Sequence, residues 1–156
     1  LLLGPRLRKS GISVIKDHGA LPPVVCRIGE LNQVFMNLLV NAIHALEDLD
    51  AAPSPAREIH IATRVEGSVA SVAITDNGPG MTQQTMDRLL DKRYDGPHTK
   101  GSGIGLRNVH QRIKLTFGEA YGLSIQSEPD AGTTVQIRLP AVTKAEAAQY
   151  RKEGEA

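Results

Sequence analysis

The sequence has few of the residues that build disulfide frameworks and aromatic cores, and it has no long apolar run. Its 156 residues include a single cysteine, Cys26, and no tryptophan, and aromatic residues make up only 3%. One cysteine excludes a disulfide framework within the chain and favours a reducing cytosol. No apolar run approaches the roughly 18 residues that would span a bilayer. The five histidines show no metal-ligand spacing, which argues against a structural zinc site.

An excess of charge of either sign is also lacking. The formal net charge is +1, and charged residues make up 22% of the chain. A nucleic-acid-binding protein would need a basic stripe, so we expect no nucleic-acid partner. Hydrophobic residues make up 40%, which is enough for the core of one compact domain built mostly from Leu, Ile, Val and Ala.

Hydrophobic periodicity predicts both strands and helices. Alternating β-branched patterns predict strands at residues 12–15, 58–65, 68–75, 123–127 and 133–139, with a hairpin turn at 66–67. Helical patterns cover residues 30–49, 82–90 and 105–117, and Thr82 is a candidate cap for the second of these. This order of elements, with strands that are largely antiparallel, predicts an α+β fold of the two-layer α/β sandwich type.

The helix predicted at residues 30–49 carries a polar seam on an otherwise apolar surface. A sector of roughly 80° on the helical wheel holds Gln33, Asn37, Asn41, His44 and Asp48. Asn is a poor helix former, and polar groups in an apolar setting need protein, water or ligand partners. An amide oxygen suits magnesium, which prefers oxygen ligands. The alternative is that the seam is simply the solvated face of the helix.

A carboxylate, Asp76, stands at the end of a predicted strand and is followed by Asn77-Gly78-Pro79-Gly80-Met81. A carboxylate accepts hydrogen bonds, including one from an exocyclic amine such as that of adenine. The two glycines would let the backbone approach a planar base closely. An ordinary Asn-Gly turn is the alternative.

A second glycine cluster, Lys100-Gly101-Ser102-Gly103-Ile104-Gly105-Leu106, opens a predicted helix. Backbone N–H groups at a helix N-terminus bind phosphate, and glycine clears the approach. The alternative is a linker and a helix start. The spacing matches neither the dinucleotide fingerprint nor the phosphate loop of the G-x-x-x-x-G-K-[ST] type.

In combination these segments resemble a known family. The motifs, in order, are Asn37-Leu38-Leu39-Val40-Asn41-Ala42, Asp76-Asn77-Gly78-Pro79-Gly80-Met81, Gly101-Ser102-Gly103-Ile104-Gly105-Leu106 and Gly132-Thr133-Thr134-Val135. They resemble the ATP-binding domain shared by sensor histidine kinases, gyrase, Hsp90 and MutL, the GHKL superfamily, and residues 31–42 look like the N box of the kinases. The resemblance covers residues 11–140. It implies a Bergerat-type fold, with a mixed sheet of about five strands and three helices on one face.

The resemblance also implies ATP and magnesium as ligands, and it assigns roles to individual residues. Asn41 matches the magnesium ligand, Asp76 the adenine-binding aspartate, and Thr133 the threonine that supports the adenine through water. Asn37 stands where gyrase-type ATPases carry a glutamate that activates water, and an amide cannot take that proton. Asn37 therefore disfavours fast hydrolysis. The other implied nucleotide-binding residues are Gly78, Gly80, Met81, Gly101, Gly103, Ile104, Gly105 and Leu106.

The candidate catalytic residues are Asn37, His44 and Lys100. His44 falls where some kinases hold a Lys or Arg near the phosphates. The segment 89–100 departs from the family pattern, because it lacks the Phe-rich box and forms only a short, polar lid. Arg93, His98 and Lys100 are therefore candidates for contact with the γ-phosphate, without assigned individual roles.

The implied activity is transfer of the ATP γ-phosphate to a histidine on a separate acceptor domain. None of the five histidines here is followed by an acidic residue, as the family's acceptor usually is. We therefore expect acceptor and dimerisation helices upstream, with residues 1–10 as the connector, 11–141 as the kinase domain and 142–156 as a tail. The implied partners are the histidine-bearing dimerisation domain of the same kinase, within a homodimer, and a response regulator. We expect a cytoplasmic domain, in a family whose full-length members are often membrane-anchored.

Two other functions stay open on the sequence. One is a non-catalytic nucleotide-binding regulator, or an anti-sigma-type serine kinase that works by gripping its partner. The other is a fragment of a gyrase- or MutL-type ATPase, which Asn37 argues against.

Overall fold

A computed structural model describes residues 3–24, 26, 28–49, 56–90, 103–143, 145–146 and 148. Four helices and five strands follow one another along the chain. They are α1 (Gly4–Lys9), β1 (Ile12–His18), α2 (Ile28–Glu47), β2 (Arg57–Glu66), β3 (Val69–Asp76), α3 (Gln83–Leu90), α4 (Gly103–Phe117), β4 (Gly122–Glu128) and β5 (Gly132–Pro140). None of these described helices is long and apolar enough to cross a lipid bilayer.

The five strands form one mixed sheet in the order β1-β2-β3-β5-β4. β1 runs parallel to β2, and every other neighbouring pair is antiparallel. A parallel pair needs a long crossover, and α2 lies in that connection. The predicted hairpin between β2 and β3 is present, and Gly67 in its turn has a φ of 58°. The predicted α+β fold with a mixed five-stranded sheet is confirmed.

The core lies between the sheet and the helices that cover one of its faces. The largest fully buried side chains come from α2, β2 and β5; they are Val34, Ile43, Leu46, Ile59 and Ile137. Burying an aliphatic side chain of this size contributes about 1.5–3 kcal/mol relative to leaving it exposed. On α2 the buried residues recur at spacings of three and four, so one stripe of the helix packs against the sheet and the polar seam turns away from it.

Helix α1 was not predicted from the hydrophobic pattern. Leu3 and Leu7 pack against the core, and Arg6 pairs with Glu47 at the end of α2 through an Nη2–Oε2 contact of 2.5 Å. The Ser10 hydroxyl also donates a hydrogen bond to Glu47. The hydrogen bonds from Arg6 and Ser10 lower the pKa of Glu47 to about 2. The segment expected to be a connector thus contacts the helix of the polar seam, while its role as a connector stays a prediction.

Local signals at the element ends agree with the sequence. The Thr82 hydroxyl accepts a hydrogen bond from the Thr85 N–H at 3.3 Å, which confirms the predicted cap of α3. In the tail, Thr143 and Glu146 exchange the reciprocal hydrogen bonds of a capping box. α2 and α4 each begin two residues earlier than predicted, so Gly103 opens α4.

Candidate nucleotide-binding site

A cavity of about 300 Å³ lies between α2, α4 and the sheet. This volume is at the lower end of the range for ligand pockets, roughly 300–1,000 Å³. Apolar side chains make up most of its wall, and the polar exceptions come from sites predicted from the sequence. Those predicted residues that line it are Asn41, His44, Asp76, Gly80, Met81, Leu106 and Thr133. All four sequence motifs thus contribute to the wall, the second glycine cluster through Leu106.

Asp76, the last residue of β3, is a buried carboxyl in this wall. It is 7% exposed, and its Oδ1 accepts a hydrogen bond from the Gly78 N–H at 2.9 Å. Burial raises the pKa of Asp76, while hydrogen bonds from the backbone N–H groups of Gly78 and Thr133 act against that rise. A carboxylate can accept about four hydrogen bonds, so Asp76 keeps capacity for a donor on a ligand.

Glycine is required where the loop after β3 meets its surroundings. A Cβ on Gly78 would stand 2.7 Å from Asp76 Oδ1. Gly80 has a φ of 68°, and a Cβ there would stand 1.9 Å from the Glu128 carbonyl oxygen. Gly132 has a φ of 90°, and its Cβ would stand 2.1 Å from the Asp76 carbonyl oxygen. The loop and the β4–β5 turn therefore pack backbone against backbone beside the cavity.

The polar seam of α2 divides into two parts. Gln33 and Asp48 at its ends are exposed, as a solvated face would be, whereas Asn37 and Asn41 in its middle are half-buried. Asn41 lines the cavity, and so does the exposed His44. Asn37, one turn earlier, lies outside the cavity wall. Within the described part of the chain, no side-chain hydrogen bond engages either amide, so the oxygen of Asn41 is available to a ligand in the cavity.

Ser127, at the end of β4, was missed by sequence reasoning. Its hydroxyl oxygen accepts a hydrogen bond from the Met81 N–H at 2.8 Å. It also lies 2.8 Å from the Gly132 carbonyl oxygen and 2.8 Å from Thr133 Oγ1. Next to it, the Asp130 N–H donates to the Pro79 carbonyl at 2.7 Å. The contact between Ser127 and Met81 joins residues 46 apart along the chain, so no local pattern could have revealed it.

Several predicted residues cannot be placed in this geometry. Lys100 and Gly101, together with Arg93 and His98, lie outside the described residues. The backbone of Gly103, Ile104 and Gly105 forms the first turn of α4, immediately before Leu106. Among the described residues, no group of three or more His, Cys, Asp or Glu side chains could hold a metal ion.

Comparison with known proteins identifies the family. Residues 27–143 match the histidine kinase-, DNA gyrase B-, and HSP90-like ATPase family. The chain is 44% identical over 79 residues to the sensor histidine kinase YesM of Bacillus subtilis. The aligned region covers 51% of the chain and 12% of YesM. The chain is 36% identical over 112 residues to sporulation kinase B of the same organism, covering 72% of the chain and 24% of that kinase. The chain therefore spans about a quarter or less of these relatives.

Solved structures give the same fold. The catalytic domain of the histidine kinase ThkA superposes with a TM-score of 0.68 at 20% identity, covering 90% of the chain and 87% of that domain. The mycobacterial sensor histidine kinase MprB gives a TM-score of 0.61 at 25% identity, covering 91% and 90%. Because the family match spans the cavity, both glycine segments and the whole polar seam, the chain belongs to the histidine kinase-, DNA gyrase B-, and HSP90-like ATPase family, as an ATP-binding domain of the sensor-histidine-kinase type.

Proposed function

We propose that the chain binds Mg-ATP and transfers the γ-phosphate to a histidine on an acceptor domain outside it, as the catalytic domain of a two-component sensor histidine kinase. One observation carries the proposal: Asp76 and Asn41, from separate motifs, line the same cavity, and Leu106 near the start of α4 lines it as well. That arrangement matches the two ends of a nucleoside triphosphate, with the base at the carboxylate and the phosphates toward α4.

At the base end, the chain offers a hydrogen-bond acceptor in an apolar slot. Asp76 accepts from the exocyclic amine of adenine, and its burial keeps water from competing for that bond. Met81 and Ile125 supply apolar contact to the ring. Gly80 leaves the backbone close to the base plane, because no side chain intervenes there.

At the phosphate end, the first turn of α4 leaves backbone N–H groups without helical partners next to Leu106 in the cavity wall, and we assign anionic phosphate oxygens to them. Asn41 presents an amide oxygen on the facing helix, and this fits a magnesium ion that keeps several of its waters, while Asn37 one turn earlier stays a candidate for contact with the nucleotide. When bound, magnesium neutralises charge on the phosphates. His44 is exposed and lines the same cavity, where its ring nitrogens can contact phosphate oxygens.

Asn37 bears on the choice between kinase and hydrolase. A hydrolase of this fold needs a base for water, and an amide cannot accept that proton in the way a carboxylate does. The bound nucleotide is then retained until an acceptor histidine arrives. The chain resembles the sensor histidine kinase YesM and sporulation kinase B, and these comparisons give no support to a non-catalytic regulator or an anti-sigma-type serine kinase.

The proposal extends to partners. A structural neighbour is the histidine kinase ThkA in complex with the response regulator TrrA. We extend that kind of partnership to this chain, so that the phosphoryl group passes from the acceptor histidine to a response regulator. The acceptor histidine would belong to a dimerisation domain of the same kinase, in a homodimer. We assign the domain to the cytoplasm, because that compartment supplies ATP.

A binding experiment tests the base end. Asp76→Asn replaces an acceptor-only group by an amide, and Asp48→Asn makes the same change at an exposed position directly after α2. A hydrogen bond to a charged group is worth about 1.5–3 kcal/mol, so Asp76→Asn should weaken Mg-ATP binding by roughly 10- to 100-fold in titration calorimetry. Asp48→Asn should bind as the wild type does. Equal affinities for the wild type and Asp76→Asn would contradict the assignment of the cavity.

A transfer experiment tests the reaction. The full-length protein is incubated with γ-labelled ATP, and the phosphoprotein is then treated with acid or base. Phosphohistidine is lost in acid and survives base, so label with that stability is the expected result. Asn41→Ala should reduce the label, because the phosphate end loses an oxygen ligand. Unlabelled protein that still binds ATP would leave the chain a nucleotide binder, and appreciable release of free phosphate would favour a hydrolase.

A further inference from the structure

Ser127 makes three polar contacts, and hydrogen-bond valence orders them. A serine hydroxyl has one proton and two acceptor lone pairs. The Met81 N–H can only donate, so it uses one lone pair. The Gly132 carbonyl can only accept, so it takes the proton of Ser127. The remaining contact, to Thr133 Oγ1, then uses the second lone pair of Ser127, and Thr133 is the donor.

This order determines which polar groups the cavity presents. Thr133 lines the cavity, and its only hydroxyl proton is directed at Ser127. Toward any group that reaches it, the Thr133 oxygen therefore offers lone pairs and no proton. Asp76, whose Cα is paired with that of Thr133 in the sheet, is likewise an acceptor when ionised. The polar wall formed by Asp76 and Thr133 thus consists of acceptors alone.

A wall of acceptors discriminates between purines at position 6. The amine of adenine donates hydrogen bonds to it, directly or through a water. The carbonyl of hypoxanthine or guanine would bring a further acceptor against it, and buried polar groups without partners are costly. Ser127 does not line this cavity, so its effect on a base would act through Thr133 and through the Met81 backbone.

We propose that Ser127 is a positioning residue that sets the preference for 6-amino over 6-oxo purine nucleotides, by holding the Thr133 hydroxyl as an acceptor and fixing Met81 beside the base. This proposal rests on the proposed function of the cavity. Without the Ser127 oxygen, the Thr133 hydroxyl is free to rotate and donate toward the cavity, where it can accommodate a carbonyl. The Met81 N–H also loses its partner.

The test compares ATP with inosine triphosphate, each with magnesium, by titration calorimetry on the whole chain. Wild type should favour ATP. In Ser127→Ala the ratio of the two affinities should fall by about fivefold or more, the size of one hydrogen bond. Ser127→Thr keeps a hydroxyl and should retain most of the ratio. Ser124→Ala, at an exposed position on the same strand, should leave it unchanged. A general loss of stability would weaken both nucleotides alike and keep the ratio.

An unchanged ratio in Ser127→Ala, or a loss in Ser127→Thr as complete as in Ser127→Ala, overturns the role of Ser127. If circular dichroism shows that Ser127→Ala does not fold, Thr133→Val decides, because it removes the hydroxyl acceptor that Ser127 positions and should also lower the ratio; an unchanged ratio there overturns the proposal. Failure of the wild type to bind ATP would instead reject the proposed function itself, so the two failures are distinguishable.

Discussion

Replacing Gly80 by alanine tests whether backbone packing shapes the base end of the cavity. Its matched control is Gly67→Ala, because Gly67 has a φ of 58° against 68° at Gly80, and a Cβ on Gly67 would meet nothing within 4 Å. At both positions alanine must adopt a left-handed conformation, which costs about 1–2 kcal/mol. That strain is the whole expected effect of Gly67→Ala.

Gly80→Ala carries a second cost. Its Cβ would stand 1.9 Å from the Glu128 carbonyl oxygen, so the loop and the β4–β5 turn must separate by more than 1 Å. That separation breaks the bonds from the Asp130 N–H to the Pro79 carbonyl and from the Met81 N–H to Ser127. At about 1 kcal/mol for each lost bond, the total loss of unfolding free energy should reach about 3–4 kcal/mol.

Urea denaturation with freely fitted slopes measures both losses, and titration calorimetry measures Mg-ATP affinity. At about 2–4 °C per kcal/mol for a domain of this size, Gly80→Ala should melt roughly 4–8 °C below Gly67→Ala. It should also bind ATP more weakly, since Met81 is displaced, while Gly67→Ala should bind normally. Equal destabilisation by the two substitutions would refute the reasoning, because the contact with the Glu128 carbonyl would then contribute nothing.

Three further predictions concern pH. Burial raises the pKa of Asp76, so ionising it costs stability as pH rises above about 3.8. In urea denaturation at pH 7, Asp76→Asn should therefore be at least as stable as the wild type. The difference in unfolding free energy between the two proteins should shrink as pH falls toward 4. The pKa of Glu47 is about 2 in the folded protein, against 4.5 for the free group. The stability that the ionised carboxylate contributes is therefore present above pH 4.5 and is lost as pH falls toward 2. Over that range of pH, the stability of Glu47→Gln should change less than that of the wild type. Burial lowers the pKa of His110, whose Nδ1 accepts a hydrogen bond from the Leu123 N–H at 3.0 Å. The wild type should therefore lose stability as pH falls through 6.5. In thermal melts between pH 7.5 and pH 5, this loss should be about 1 kcal/mol larger for the wild type than for His110→Ala.

The elements that depend on local pattern were predictable. Alternation located all five strands within about two residues at most ends, and Thr82 marked the start of α3, because periodicity and capping act over a few neighbouring residues. Helix α1 was missed since its six residues include Gly4 and Pro5. Its stability comes from Leu7 in the core and the ion pair of Arg6, which are contacts with distant segments.

The sequence singled out seven residues that line the cavity, but it did not give the geometry that brings them together. The helical wheel put Asn37 and Asn41 in one sector, yet of the two only Asn41 lines the cavity. The position of a cavity along a helix depends on which elements pack against that helix. Glycines 78 and 80 were singled out for approach to a base. The structure adds a nearer reason for Gly80, its contact with the Glu128 carbonyl, which no sequence pattern contains.

Among the described strands, β1 pairs with a single neighbour, β2, which follows it some 45 residues later in the sequence. Its register with β2 can form only after the intervening helix has closed the long loop, so this pairing should come late in folding and open early. Amide protons of β1 should accordingly exchange with solvent before those of β3, which is flanked on both sides. Arg6 of α1 and the adjacent Ser10 both donate hydrogen bonds to Glu47 at the end of α2. Opening of this sheet edge and displacement of α2 should therefore affect each other.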